Sequence, residues 1–97
     1  MIINLGLDNT QLYAGCEIIE VAGRATLKTP VEVAINIIGK NIAKIVAETP
    51  YTERFSCLLT GPMAVWSYLI VFHAVVHAFG QVHYSDGRSE PVLLAMH

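Results

Sequence analysis

Residues 55–80 read FSCLLTGPMAVWSYLIVFHAVVHAFG, and this stretch decides the fold. Residues 55–59 form a short, mostly apolar run that is typical of a strand buried in an α/β sheet. Residues 60–62, Thr-Gly-Pro, predict the end of that strand and the beginning of a helix. Residues 63–79 carry no formal charge and predict this helix, with Gly80 as its C-cap.

The residues before this stretch predict two strands and one helix. Residues 1–7 favour a first strand, and residues 11–21 favour a second strand paired antiparallel to it. Residues 23–28 indicate a connection, with a short strand as the alternative. Thr29 as N-cap, Pro30 at the first helical position and Glu32 three residues after the cap predict a helix that ends near Thr49.

The residues after the stretch predict two more strands joined by a tight turn. Residues 81–84 favour a short strand, and Asp86-Gly87 is typical of a turn. Residues 91–97 favour a last strand. The order ββαβαββ therefore predicts a single α/β domain over residues 1–97, with three or two layers and a mixed sheet whose faces are covered by two main helices.

The composition limits the class of protein. The chain has 97 residues, of which 54% are hydrophobic and 14% are charged, compared with about 25% charged residues in average soluble domains. Because so little charged surface is available, we expect a homodimer or a larger homo-oligomer. The net charge of -2 argues against non-specific binding of long nucleic acid, but leaves a small or cyclic anion open.

The uncharged run 63–79 also raises the question of a membrane. At about 1.5 Å per residue it is just short of a bilayer core. His73 and His77 inside the run, and the absence of flanking Lys or Arg, oppose insertion. Without a basic leader before an apolar segment, and with Cys16 and Cys57 in no CxxC pair, the sequence predicts a cytoplasmic protein with buried thiols.

All the histidines lie within residues 73–97. His73 and His77 are four residues apart, so a helix presents both on one face, where two imidazoles can share a metal ion. If the sheet order also brings Asp86 and His97 there, the set suits Mn²⁺ or Zn²⁺. The alternative is that these histidines are core residues bonded to backbone carbonyls. For His83 a partly exposed strand position is favoured.

An anion site is the second chemical hypothesis. Thr60, Gly61 and Pro62 place a helix amino terminus directly after a strand, where free N–H groups and the helix dipole hold anions. A plain N-cap and turn is the alternative, since no glycine-rich fingerprint or Walker lysine is present. Arg88 is suited either to clamping a phosphate or to lying in solvent as a turn residue.

From Phe55 onward the chain resembles the small standalone, metal-dependent ring nucleases associated with type III CRISPR systems. The similarity covers about 40 residues. Its motifs are Thr60-Gly61-Pro62, a helix with Trp66 and Leu69, HAVVH at 73–77, YSDGR at 84–88 and a last strand ending in Met96-His97. The chain departs from that pattern in Ser85 between tyrosine and acid, in Gly87 where the family has proline, and in the lack of an arginine before Gly61.

The resemblance implies a Rossmann-like domain of the CRISPR-associated type that forms dimers or larger assemblies. It implies cleavage of a cyclic oligoadenylate, most directly cyclic tetraadenylate, which switches off antiviral signalling. Residue by residue, it implies His77 as base, Asp86 as orienting or metal-binding acid, and Arg88 as charge stabiliser. Mn²⁺ or another divalent ion would be held by His73, His77, Asp86 and His97, and the ligand by Thr60, Gly61, Pro62 and Arg88.

Two other functions stay open at this point, beside that of a membrane-associated subunit raised by the uncharged run 63–79. One is a non-catalytic sensor that binds the same cyclic nucleotide. The other is a structural subunit of a small homo-oligomer whose histidines hold a metal ion. Whether Arg24 and Arg54 complete the pocket is also open.

Overall fold

The computed structural model describes residues 1–96, so the predicted metal ligand His97 lies outside the described residues. The elements are β1 (Ile2–Asn4), β2 (Ile18–Val21), β3 (Arg24–Leu27), α1 (Val31–Glu48), a 3-10 turn (Tyr51–Glu53), β4 (Ser56–Thr60), α2 (Val65–Val75), β5 (Gln81–Tyr84) and β6 (Val92–Met96).

The main sheet has the strand order β1-β4-β5-β6. β1, β4 and β5 run parallel, and β6 runs antiparallel to β5. In the register, Leu58 pairs with Ile2 on one side and with His83 on the other. A mixed sheet with two helices confirms the predicted α/β class.

Both helices lie on one face of this sheet. In β4, Cys57 and Leu59 are buried, whereas the alternating residues Ser56 and Leu58 are only half-buried. α1 and α2 pack against each other and share one core with the buried strand residues. The domain therefore has two layers, and the second face of the sheet is uncovered within residues 1–96. The fully buried aliphatic residues are Leu5, Leu12, Ala34, Ile38, Ile42, Leu59, Val71, Val75 and Val82.

The predicted second strand over residues 11–21 is wrong in extent and in pairing. Residues 10–15 form turns, and only Ile18–Val21 is a strand. Asn41 of α1 donates side-chain hydrogen bonds of 2.8 Å to Leu12 O and 2.9 Å to Ala14 O. These backbone carbonyls are therefore satisfied by a helix side chain instead of a neighbouring strand. The first strand is also shorter than the predicted residues 1–7.

β2 pairs antiparallel with β3 in a separate hairpin, so the alternative of a short strand within residues 23–28 is the one the structure contains. Ala22 and Gly23 form its turn with φ of 51° and 78°. Lys28 N donates to Glu17 O at 2.8 Å, and Glu17 N donates to Thr29 Oγ1 at 2.7 Å. The predicted capping role of the Thr29 hydroxyl is therefore wrong, because this oxygen holds the base of the hairpin.

α2 is shorter than the predicted helix over residues 63–79, because the chain continues as turns after Val75. Gly80 is not its C-cap. Gly80 N donates to Arg54 O at 3.0 Å, and a Cβ at Gly80 would lie 2.9 Å from Phe55 O. Glycine is required there by the close approach of two backbone segments. Among residues 1–96, no helix has the length and apolar character needed to cross a bilayer.

Candidate functional site at the carboxyl ends of the parallel strands

A cleft opens where β4 and β5 end, and we call it the carboxyl-end cleft. It has a volume of about 440 Å³. Its lining residues are Thr60, Gly61, Pro62, Met63, Tyr68, Tyr84, Asp86 and Gly87. Across Pro62 a second depression is lined by the loop after β1 and by Arg24. Carboxyl ends of parallel strands are where open α/β sheets bind their ligands.

Asn4, the last residue of β1, fixes the loop that borders this cleft. Its Oδ1 accepts a 2.8 Å hydrogen bond from Gly6 N, and its Nδ2 donates to Asp8 Oδ1 at 2.9 Å. Gly61 crosses this loop with φ of 104°, and a Cβ there would lie 2.8 Å from Gly6 N. The turn after β4 is therefore close to the loop after β1, at a position that only glycine fits.

Two further contacts fix the turn after β4. Thr60 Oγ1 donates a 2.9 Å hydrogen bond to Ser85 O, which joins the ends of β4 and β5. The Tyr68 hydroxyl donates to Gly61 O, and its ring lies edge-on to Tyr84 with centroids 5.5 Å apart. Burial, and secondarily the neighbouring phenols of Tyr84 and Tyr13, raise the pKa of Tyr68, so this hydroxyl stays a donor.

The turn after β5 is organised by Asp86. Its Oδ1 accepts backbone hydrogen bonds from Arg88 N at 2.8 Å and Ser89 N at 2.9 Å. These N–H groups, Ser89 first, lower the pKa of Asp86, so the carboxylate stays ionised well into the acid range. Gly87 adopts φ of 83°, as the predicted Asp-Gly turn requires. The backbone of Arg88 is thereby fixed next to the cleft.

The amino terminus of α2 follows directly from residues 60–63 of the cleft lining. Its N-cap is Ala64, whose side chain makes no capping hydrogen bond. The first N–H groups of a helix are unpaired within the helix and carry partial positive charge. The cleft thus combines donors suited to an anion with the carboxylate of Asp86.

The predicted histidines lie at the other end of the domain. His73 and His77 are exposed near the carboxyl end of α2. His77 lines a cleft with Arg54 and Phe55, beside the amino end of β5. The four residues of β5 separate this end from Asp86 by about 13 Å.

The predicted metal centre is therefore not assembled within the described part of one protomer. In residues 1–96 no three His, Cys, Asp or Glu side chains converge on a point where an ion could bind. The reason is topological, because α2 runs back from the carboxyl end of β4 to the amino end of β5. Its last turn and the turn after β5 lie at opposite edges of the sheet.

The sequence left open whether Arg24 and Arg54 complete the pocket. In the structure these two arginines also lie at opposite edges of the sheet. Arg24 lines the depression next to Pro62. Arg54 lies near His77, where its Nη2 donates to Val46 O at 2.7 Å and its Nε to Thr49 O at 3.1 Å. Arg24 is thus placed to contribute to the carboxyl-end cleft, and Arg54 is not.

Sequence reasoning did not single out Asn4 or Tyr68 as residues of the candidate site. A polar residue that ends an apolar strand two positions before a glycine was the available signal for Asn4. Tyr68 carried no such signal, because its role depends on the carbonyl of Gly61 and on Tyr84, which only the fold brings near it.

Comparison of the chain with models of known protein families, with curated proteins and with solved structures finds no match.

Proposed function

We propose that this protein is a ring nuclease that binds a cyclic oligoadenylate, cyclic tetraadenylate first, at the carboxyl-end cleft and cleaves it. The observation that supports this most is the hydrogen bond from Thr60 to Ser85. It joins the end of β4, which leads into α2, to Ser85, which precedes the turn that carries Arg88. A helix amino terminus next to an arginine is a combination suited to phosphate.

The charge distribution is compatible with such a ligand. Arg24 lines the depression next to the cleft, and Arg88 follows Gly87 of the cleft lining, although the chain as a whole has a net charge of -2. A cyclic tetranucleotide presents its four phosphates in a compact ring, so an arginine and a helix amino terminus at one cleft can contact them. A uniformly basic surface is not needed.

The cleavage step uses the 2′-hydroxyl of the ligand as nucleophile. A base removes its proton, the 2′-oxygen forms a bond to the adjacent phosphorus, and the bond from phosphorus to the 5′-oxygen breaks. The leaving 5′-oxygen takes a proton from water, and the product is a linear oligonucleotide with a 2′,3′-cyclic phosphate. Arg88 offsets the charge that develops on the phosphate, and Asp86 orients the reacting group.

His77 is the proposed base, and its position determines how the active unit is built. Because His77 and Asp86 lie at opposite ends of β5, one protomer does not bring both to a phosphate. We therefore assign the base to a second copy of the chain. If cleavage depends on Mn²⁺, a second copy is needed for that reason too, because the histidine ligands would also come from it.

Cleavage of cyclic tetraadenylate, followed by chromatography with and without Mn²⁺, tests this function. We expect linear products from the wild type and none from His77→Ala or Asp86→Ala. Mixing these two inactive variants should restore about a quarter of the wild-type rate, because random exchange leaves one intact site in each mixed dimer. Intact substrate under every condition would contradict the nuclease.

Binding is tested separately with Arg88→Ala, which we expect to weaken affinity for cyclic tetraadenylate about 10- to 100-fold. Lys44→Ala is the matched control, because it removes the same charge from the exposed ion pair with Glu48. Equal losses in both variants would show that only net charge matters.

A second candidate is a non-catalytic sensor for the same ligand. It is favoured by the separation of His77 from Asp86 within one protomer, because among residues 1–96 the cleft has binding groups and no imidazole in its lining. Tight binding of cyclic tetraadenylate without any product, in wild type and in the His77→Ala variant alike, would support the sensor over the nuclease.

A further inference from the structure

The depression beside Pro62 is a second concave surface next to the carboxyl-end cleft. It lies between the loop after β1 and the β2–β3 hairpin, and its volume of about 500 Å³ is within the usual range of small-molecule sites. Its lining combines apolar walls with one acidic and one basic side chain, which is the composition of a site that orients a polar ligand. The lining residues are Gly6, Leu7, Asp8, Arg24, Ala25 and Pro62.

The carboxylate of Asp8 is held in place by the loop after β1. Its Oδ1 accepts the 2.9 Å hydrogen bond from Asn4 Nδ2. The same oxygen lies close to Gly6, since a Cβ added at Gly6 would be 2.7 Å from Asp8 Oδ1 and 3.4 Å from Pro62 Cδ. Within residues 1–96 the second carboxylate oxygen accepts no hydrogen bond. This oxygen is therefore available to a donor on a ligand.

Arg24 brings the opposite charge to the same depression. It is exposed at the start of β3, directly after the hairpin turn at Gly23. In the described part of the chain, ion pairs join Lys28 to Glu17 and Lys44 to Glu48, and none joins Arg24 to Asp8. Asp8 and Arg24 thus border one space without neutralising each other. A ligand with a donor at one end and an anion at the other can bridge them.

An adenine nucleotide carries both of these groups. A guanidinium contacts phosphate oxygens in pairs, and the amino group of adenine is a donor for a carboxylate oxygen. Leu7, which packs against the core, and Pro62 offer apolar surface to the base. Guanine is less suited, because its neighbouring N1–H and N2–H₂ donors match a carboxylate with two unengaged oxygens, and Asn4 already occupies one oxygen of Asp8.

We propose that the depression beside Pro62 binds one adenine nucleotide, with Arg24 on its phosphate and the Asp8 carboxylate on the amino group of its base. The link to catalysis rests on the proposed function: the nucleotide is then one unit of the cyclic oligoadenylate, and the neighbouring phosphate lies in the carboxyl-end cleft. Pro62 lines both spaces, so one protomer contains the whole of this surface. Asp8 selects the base, and Arg24 adds a phosphate contact.

AMP alone tests the depression without the cyclic ligand. Added to the isotope-labelled full-length protein, it should shift the amide NMR signals of Leu7, Asp8 and Ala25. Arg24→Ala should weaken AMP binding about 10-fold. Lys28→Ala is the matched control, because it removes the same charge from the base of the same hairpin, and it should change the affinity less than about 2-fold. Equal losses in both variants, or no shift at the three amides, would overturn the proposal.

The choice of base tests Asp8. Asp8→Asn keeps Oδ1 as the acceptor for Asn4 and replaces the other oxygen with an amide donor. We expect this variant to bind AMP about 10-fold more weakly than the wild type does. Purine riboside monophosphate lacks only the amino group, so the variant and the wild type should bind it equally. A purely structural role of Asp8 in the loop would weaken both nucleotides alike, and that result would contradict the assignment.

This inference and the proposed function fail in different ways. Binding of AMP at the depression without binding or cleavage of cyclic tetraadenylate keeps the nucleotide site and removes the nuclease. Cleavage that is lost in Arg88→Ala but unchanged in Arg24→Ala and Asp8→Asn keeps the nuclease and removes the nucleotide site. If both hold, Arg24→Ala should raise the KM for cyclic tetraadenylate about 10-fold and leave kcat within about 2-fold, because Arg24 contacts a phosphate that does not react.

Discussion

The hydroxyl of Tyr13 lies 3.2 Å from Ser67 Oγ in the interior, and it also donates to the carbonyl oxygen of Leu5. Both side chains are buried, so this is a polar contact inside an otherwise apolar core. It connects the segment after β1 to the buried side of α2, directly behind the carboxyl-end cleft.

Tyr13→Phe should therefore destabilise the domain more than Ser67→Ala. Removing the phenol hydroxyl leaves the Leu5 carbonyl and the Ser67 hydroxyl without this partner in the core, at a cost of about 1–3 kcal/mol. Ser67→Ala leaves the Tyr13 hydroxyl bonded to Leu5 and should cost about 1 kcal/mol or less. Urea unfolding measures both free energies, and the reverse order would contradict this assignment.

Gly61→Ala and Gly39→Ala should have opposite effects on stability. Gly61 has φ of 104° and no room for a Cβ, so alanine there should cost more than about 2 kcal/mol. Gly39 lies within α1 with nothing within 4 Å of an added Cβ, so alanine there should stabilise by about 1 kcal/mol. Thermal unfolding of the two variants measures both effects, and destabilisation by Gly39→Ala would contradict the prediction for α1.

Arg54→Ala should loosen the end of α1. The guanidinium donates to the carbonyls of Thr49 and Val46 at the end of the helix, where Val46 O also accepts a hydrogen bond from Thr49 N, and its charge is favourable at a helix carboxyl end. We expect a loss of about 1–2 kcal/mol. Hydrogen exchange should report faster opening of the last turn of α1, with α2 unchanged, and Lys28→Ala serves as an exposed charge control.

Stability should fall as the pH rises from about 9 towards 11. Burial raises the pKa of the Cys57 thiol to about 11, and the positive amino terminus opposes this only weakly. Above the pKa of the unfolded thiol the unfolded chain loses a proton that the folded chain keeps, so up to about 3 kcal/mol of stability is lost. Denaturant unfolding of Cys57→Ala should show a weaker slope between pH 9 and 10, and Cys16→Ala should keep most of it.

The part of the fold that local signals determine was predictable. The uncharged run after Thr60-Gly61-Pro62, the Pro30 start of α1 and the Asp86-Gly87 turn each act within a few residues, and the structure contains all three elements. The conformation of residues 11–21 was not predictable from local signals. Apolar residues of this segment are buried in the core, and Asn41, far along the chain, donates hydrogen bonds to two of its carbonyls.

The residues of the candidate site also differ in how well the sequence predicts their positions. Thr60, Gly61, Pro62, Asp86 and the backbone of Arg88 are next to strand ends, and parallel strands bring such ends together. The histidines could not be placed from spacing alone. Whether His77 lies near Asp86 depends on the direction in which α2 returns across the sheet, and in one protomer this direction separates them.

The β2–β3 hairpin has an engineering consequence. Apart from Leu27, which packs against the core, its strand residues are exposed to solvent, and hydrogen bonds of Glu17 with Lys28 and Thr29 hold its base. The Ala22-Gly23 tip is therefore a natural place to graft a peptide tag or a fluorescent reporter. The depression beside Pro62 includes Arg24, one residue from that tip, so a label attached there would lie close to the edge of the sheet where we propose that the ligand binds.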